Sequence, residues 1–185
     1  MLDDIGHGRA LSGLHVVDCF NRCVIPAPVD VKYVALSYLW GTNKSSHPRE
    51  SDGKLPADVP STIQDAITVT LNLGLQYLWV DAYCILQTDH DDVHRQIRQM
   101  DLIYRSAQVT IIAVESSTGL PGVSRPRRQW QFEGNYNTTR FQTFLLGPKK
   151  PIQSSRWWSR GWTFQEGFFS RRRLFFMEDQ LILDC

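Results

Sequence analysis

The 185-residue chain has no apolar run approaching the roughly 18–20 residues of a membrane-spanning helix. Its start, Met1-Leu2-Asp3-Asp4-Ile5-Gly6, lacks the hydrophobic stretch of a signal peptide. Net charge is nearly absent too: +1 gives no global attraction to nucleic acid or to acidic surfaces. Neither a Walker-type loop nor a G-x-G-x-x-G turn is present, so an ordinary dinucleotide-binding crossover is not indicated. Cysteine is scarce. The four thiols, Cys19, Cys23, Cys84 and Cys185, are scattered in or beside apolar segments. That suits reduced, buried thiols in a cytosolic protein better than a disulfide framework. The triplets Asn43-Lys44-Ser45 and Asn137-Thr138-Thr139 then carry no meaning as glycosylation sites. Internal repeats and low-complexity tracts are also missing.

What remains is an ordinary globular composition, 42% hydrophobic and 21% charged, at a length suited to one domain with a sizeable core. The apolar ending Leu181-Ile182-Leu183-Asp184-Cys185, with no polar tail, points to a domain cut from a longer protein. Leu14 to Val24 reads as a strand or a hairpin turning near Asn21, closed by Pro26 and Pro28. Tyr33 to Trp40 is a near-continuous apolar run ended by Gly41, as in a strand covered on both faces. After a polar loop, Pro60-Ser61-Thr62-Ile63-Gln64 starts a helix, with Ser61 and Gln64 placed for a capping box. Gly74 stops it. Tyr77 to Ile85 reads as a second buried strand containing Asp81. Thr88-Asp89-His90-Asp91 opens a second helix with a core stripe of Val93, Ile97, Met100, Tyr104 and Ala107. Val109 to Val114 is a third strand.

That alternation predicts an α/β domain with right-handed crossovers. Residues 115–151 read as an irregular insertion or flap, relieved by a strand candidate at Phe141–Leu146. A short helix around Ser159–Phe169 and a strand or hairpin from Arg173 to Cys185 complete the chain.

One carboxylate sits inside an aromatic block, Trp157-Trp158-Ser159-Arg160-Gly161-Trp162-Thr163-Phe164-Gln165-Glu166-Gly167-Phe168-Phe169. Half of the six tryptophans fall within six residues here, and Glu166 is the block's one acid. Aromatic side chains bury large areas, so the block should pack on the core. A Glu drawn into such surroundings must be paired, lose its charge through desolvation, or act on a ligand.

Three blocks together resemble the fungal heterokaryon-incompatibility (HET) domain family. The first is Tyr33-Val34-Ala35-Leu36-Ser37-Tyr38-Leu39-Trp40-Gly41. The second runs through Leu55-Pro56, Thr62–Ile67, Leu73-Gly74 and Tyr77–Gln87, continuing at Met100, Ile103-Tyr104 and Ala107. The third is Arg160-Gly161-Trp162-Thr163-Phe164-Gln165-Glu166 with Ser170-Arg171-Arg172. They occur in order from about Tyr33 to Phe176, and Leu39 and Tyr83 depart from the usual pattern. The resemblance implies a cell-death effector in self/non-self recognition, a single domain over 1–185 with its core at about 33–176. It also implies a distant similarity to Toll/interleukin-1 receptor (TIR) domains of innate immunity. Those have a flavodoxin-like, mostly parallel sheet flanked by helices, and some hydrolyse NAD. The spacing Trp162-x-x-x-Glu166 resembles that around the catalytic carboxylate of TIR-type NAD hydrolases.

On that resemblance Glu166 is the candidate catalytic carboxylate of an NAD(P) glycohydrolase. Trp162 and Trp40 would be pocket walls, and Ser37 and Asp81 contacts for ribose or phosphate. Ligands of open α/β sheets bind outside the carboxyl ends of the strands, which is where Ser37, Tyr38, Trp40 and Gly41 fall. NAD(P) is a substrate on this reading, and no prosthetic group, metal, membrane or nucleic acid is expected. The partners would be self-association or other homotypic contacts, in the cytoplasm. Each assignment has a structural alternative. Glu166 could pair with Arg160, Arg171 or Arg172. Trp40 could be core, with Gly41 a turn. Asp81 could cap a loop or pair with an arginine. His90 and His94 lie one turn apart but lack an evident third ligand, so an exposed helix start is favoured over a metal site. Cys84 reads as a buried thiol. The rival functions are a non-enzymatic interaction module and a nucleotide sensor without turnover.

Overall fold

The computed structural model describes residues 11–40, 52–114, 118–127, 133–136, 139–142, 152–159 and 163–185. Nine strands are described: β1 His15–Asp18, β2 Cys23–Pro26, β3 Tyr33–Ser37, β4 Tyr77–Trp79, β5 Val109–Ala113, β6 Glu133–Tyr136, β7 Thr139–Gln142, β8 Arg173–Phe176 and β9 Leu181–Asp184. Five helices accompany them: α1 Ser61–Asn72, α2 Asp81–Cys84, α3 His90–Arg98, α4 Met100–Ser106 and α5 Thr163–Phe169. Seven strands form one sheet in the order β2-β1-β4-β3-β5-β8-β9. The central four, β4-β3-β5-β8, are mutually parallel. Every residue of β3 and of β5 is buried, as their largely apolar sequence suggests of strands covered on both faces.

The α/β class is as expected, but the sheet is mixed and not mostly parallel. An antiparallel hairpin, β1–β2, adds to one side of the parallel core, and β9 returns antiparallel to β8 on the other. Within β1–β2 and β8–β9 the antiparallel sense follows from short connections. Tight turns can join only antiparallel strands, whereas parallel neighbours need a long crossover. The first turn forms near Asn21, where Asp18 accepts from Phe20 N–H (3.0 Å), Asn21 N–H (3.2 Å) and the Asn21 side chain (2.8 Å).

Helix α1 ends as Gly74 directed. The Gly74 N–H reaches Leu71 O (2.9 Å) and the Leu75 N–H reaches Thr70 O (3.1 Å), with Gly74 at φ +74°, a Schellman closure. Its start differs from expectation. Pro60 is the N-cap, Ser61 is already helical, and no side-chain cap bond forms.

Two further expectations are corrected between β4 and β5. The strand from Tyr77 stops at Trp79, and Asp81–Cys84 coils into a helical turn. The single helix of residues 88–107 is broken at Gln99 (φ −115°) into α3 and α4. Asp89 caps α3 by accepting from the N–H groups of Asp91 and Asp92. The buried positions of α3 are polar, Asp92 and Gln96, while Ile97 is exposed. Gln96 donates to Gly13 O (2.8 Å), and Gln99 grips Ser12 through both its N–H (3.1 Å) and its C=O (2.8 Å). Val93, Met100, Tyr104 and Ala107 of the expected stripe do face the core, and Ile97 alone does not, because α3 packs partly on the backbone of an N-terminal segment, which needs hydrogen bonds and not apolar area.

Within 115–151, β6 and β7 pair into a separate two-stranded sheet. The strand expected at Phe141–Leu146 overlaps β7 at Phe141 and Gln142; its remainder lies outside the described residues. Before that, residues 118–127 are fastened to α1. Leu120 N–H and Ser124 Oγ donate to the buried Asp65 carboxylate, each at 2.6 Å. Arg125 forms a two-pronged ion pair with Glu178 at 2.7 and 2.6 Å. The C-terminal hairpin β8–β9 is as the sequence indicated. Among the described residues no helix is long and apolar enough to cross a membrane.

Candidate functional site at the carboxyl edge of the sheet

Strand β3 has β4 on one side and β5 on the other, so the chain leaves it in one direction and returns across it in the opposite one. The order β4-β3-β5-β8 is the 2-1-3-4 arrangement of flavodoxin-like sheets, with its switch point between β3 and β5. Ser37 ends β3 at that place, in register with Ile112 of β5. Right-handed crossovers put α1 on one face and α3, α4 and α5 on the other. Consistent with this, α5 packs on α4.

Helix α5 carries Glu166 back over the end of β3. Glu166 is 5% exposed and Ser37 is 1% exposed. The Ser37 hydroxyl donates to Glu166 Oε2. Trp157, also buried, donates its indole Nε1–H to Ser37 Oγ at 2.6 Å. Trp157 is held edge-on by Phe175 of β8, with centroids 6.0 Å apart and planes at 87°. It also closes against Gly167, where a Cβ would stand 3.3 Å from its Cη2. One turn after Glu166, Ser170 Oγ donates to the Glu166 backbone carbonyl (2.5 Å) and contacts Thr110 Oγ1 of β5 (2.7 Å). The carboxylate is thus anchored to the parallel core through both its side chain and its own peptide.

A second pair lies along the same edge. The Trp40 indole N–H donates to both oxygens of Asp81, at 3.2 and 3.0 Å, and Asp81 also accepts from Ala82 N–H at 2.7 Å. Trp40 is 48% exposed, so it is not core. Asp81 sits in the first turn of α2, not within a strand. Tyr38 is buried in the main core. Gly41 and Trp162 lie outside the described residues, as does Arg160, one of the arginines weighed against Glu166. Arg171 and Arg172 are exposed, and Arg172 donates to Gln108 O (3.3 Å).

The sequence placed Trp157 in the aromatic block but gave it no role at the site. Three tryptophans stand in that block, and nothing in the local sequence distinguishes the one that reaches Ser37. Cys84 accepts from Val80 N–H (3.3 Å) in the core. Among the described residues no group of three metal-ligating side chains occurs.

A profile of the family described as "Heterokaryon incompatibility protein (HET)" matches residues 33–166. Over 129 residues the chain is 29% identical to "Heterokaryon incompatibility protein 6, OR allele" of Neurospora crassa, covering 60% of this chain. It spans 19% of that relative's length. No solved structure matches it significantly. The matched span begins with β3 and ends on Glu166, enclosing the elements that build the carboxyl edge, and the chain belongs to the heterokaryon incompatibility family.

Proposed function

We propose that this domain is a cytoplasmic effector in heterokaryon incompatibility that acts by hydrolysing NAD(P) at the nicotinamide–ribose bond. The observation that carries the reading is the buried Glu166 on α5, turned toward Ser37 at the switch point of a flavodoxin-like sheet. The reaction asks little of a protein. The C1′–N bond breaks with its electron pair passing to the pyridinium nitrogen, so nicotinamide leaves neutral without a general acid. Positive charge develops at the ribosyl carbon, water adds there, and a proton is released. A fixed carboxylate in a water-poor site stabilises that charge, by analogy with glycoside hydrolysis. Glu166 is the candidate for this role. The half-exposed ring of Trp40, held by Asp81, offers a face for a flat ring of the substrate. At 5% exposure Glu166 is nearly enclosed in the isolated chain, so substrate access needs a rearrangement, and the proposal assigns that step to self-association.

The rival reading, an interaction module without turnover, draws support from the completeness of the Trp157–Ser37–Glu166 chain, which would equally well fasten α5 to the sheet. Incubating the purified domain with NAD, alone and fused to a clustering partner, separates the two. Release of nicotinamide on clustering is the expected result. Its absence in every assembly state leaves the scaffold.

A further inference from the structure

The hydrogen-bond chain around Ser37 has a fixed direction. An indole N–H can donate and cannot accept, so in the 2.6 Å contact Trp157 is the donor and Ser37 Oγ the acceptor. A carboxylate accepts only, so the single Ser37 hydroxyl proton goes to Glu166 Oε2. Serine hydroxyls ordinarily rotate to suit their surroundings. Here two neighbours, each restricted to one role, leave this one a single orientation. The indole in turn cannot swing away, since it is wedged between Phe175 and Gly167 and is 1% exposed. Ser37 is itself 1% exposed and already spends its proton on the protein, which leaves it poorly placed to donate to a ribose or phosphate.

We infer that Ser37 is a positioning residue for Glu166 and not a substrate contact: Trp157 locks the hydroxyl, and the hydroxyl aims the carboxylate. This rests on the reading of Glu166 as the carboxylate that serves NAD(P) cleavage. It replaces the ribose or phosphate role that the sequence suggested for Ser37.

The test compares Ser37→Ala, Ser37→Thr and Trp157→Phe with the parent domain in its clustered form. Ser37→Ala lowers kcat for nicotinamide release by about 10- to 100-fold, the scale on which small misplacements act, and leaves KM for NAD within about twofold. Ser37→Thr keeps the hydroxyl and recovers most of the rate. Trp157→Phe loses rate, and adding it to Ser37→Ala costs little more, because both break one chain. A rise in KM at unchanged kcat in Ser37→Ala would make Ser37 a substrate contact and overturn the inference. A second readout needs no turnover. The Trp157 indole N–H resonance in a ¹⁵N spectrum moves in Ser37→Ala, which deletes its acceptor. It moves also in Glu166→Gln, because an amide that can donate lets the Ser37 hydroxyl turn. An indole resonance indifferent to Glu166→Gln would sink the positioning role even if NAD is cleaved. A coupled resonance in a domain that releases no nicotinamide would retain the positioning of Glu166 and remove the proposed reaction alone.

Discussion

Tyr83 shows how a single residue can sit against the grain of its surroundings. It is 2% exposed, and its hydroxyl finds no hydrogen-bond partner among the described residues. Burial, with the charge of Asp58 adding to it, pushes the phenol up to about 12. An unsatisfied buried hydroxyl costs on the order of 1–3 kcal/mol, so Tyr83→Phe should be neutral or stabilising by about 1 kcal/mol. Urea unfolding of the two proteins checks this, and a clear loss of stability would mean that the hydroxyl is bonded. Trp157 is the opposite case, fully packed and fully bonded. Trp157→Ala should cost about 3–5 kcal/mol, the usual range for deleting a buried aromatic, and Trp157→Phe much less. Calorimetric midpoints would show the contrast. The sequence exposed the anomaly of Glu166, an acid among aromatic rings, because composition alone reveals it. It placed Ser37 at the same site but assigned it to the substrate, and it could not pick out Trp157, because Ser37 stands 129 residues from Glu166 and 120 from Trp157 and the three bond only through the fold.

At the scale of elements, α3 depends on a charge. Burial raises the Asp92 carboxyl, but the Leu86 N–H, the Gln96 amide and the Arg95 guanidinium outweigh it and hold the group below the usual carboxylate range. A carboxyl lowered on folding stabilises the fold above its unfolded value of about 4, and that contribution disappears as pH falls through the folded value. Asp92→Asn should therefore lose about 2 kcal/mol near neutrality, the scale of hydrogen bonds to a charged group. The deficit should shrink below about pH 4, as paired urea titrations at pH 7 and pH 3 would show. A deficit independent of pH would mean that shape and not charge matters. The segment 118–127 hangs on a backbone constraint instead. Gly119 has φ +97°, and a Cβ there would lie 2.5 Å from Ser124 Oγ and 2.9 Å from Asp65 Oδ2. Gly119→Ala should loosen this clamp at about 1–3 kcal/mol of strain, read as faster limited proteolysis within residues 118–127. Elements with a strong local signal, such as the buried strand β3 and the Gly74 stop of α1, were legible in the sequence. The break at Gln99 was not. A helical stripe cannot tell whether its face meets side chains or, as here, the backbone of Ser12 and Gly13.

For the whole molecule, the parallel core was legible in the alternation of strand and helix patterns, and its flavodoxin-like order puts Ser37 at the carboxyl edge, where open α/β sheets generally bind their ligands. The antiparallel margins were individually visible as hairpins, but no local pattern says that β1 would dock beside β4. The central claim is that this edge is a reaction site and not a fastening. It is tested most directly by nicotinamide release from NAD by the clustered domain and its Glu166→Gln variant, with matched thermal midpoints showing both to be folded. Release by the parent, and a fall on the order of 10²–10³ in the variant, are the expected results. Equal release by both proteins, or none by the parent in any assembly state, would contradict it.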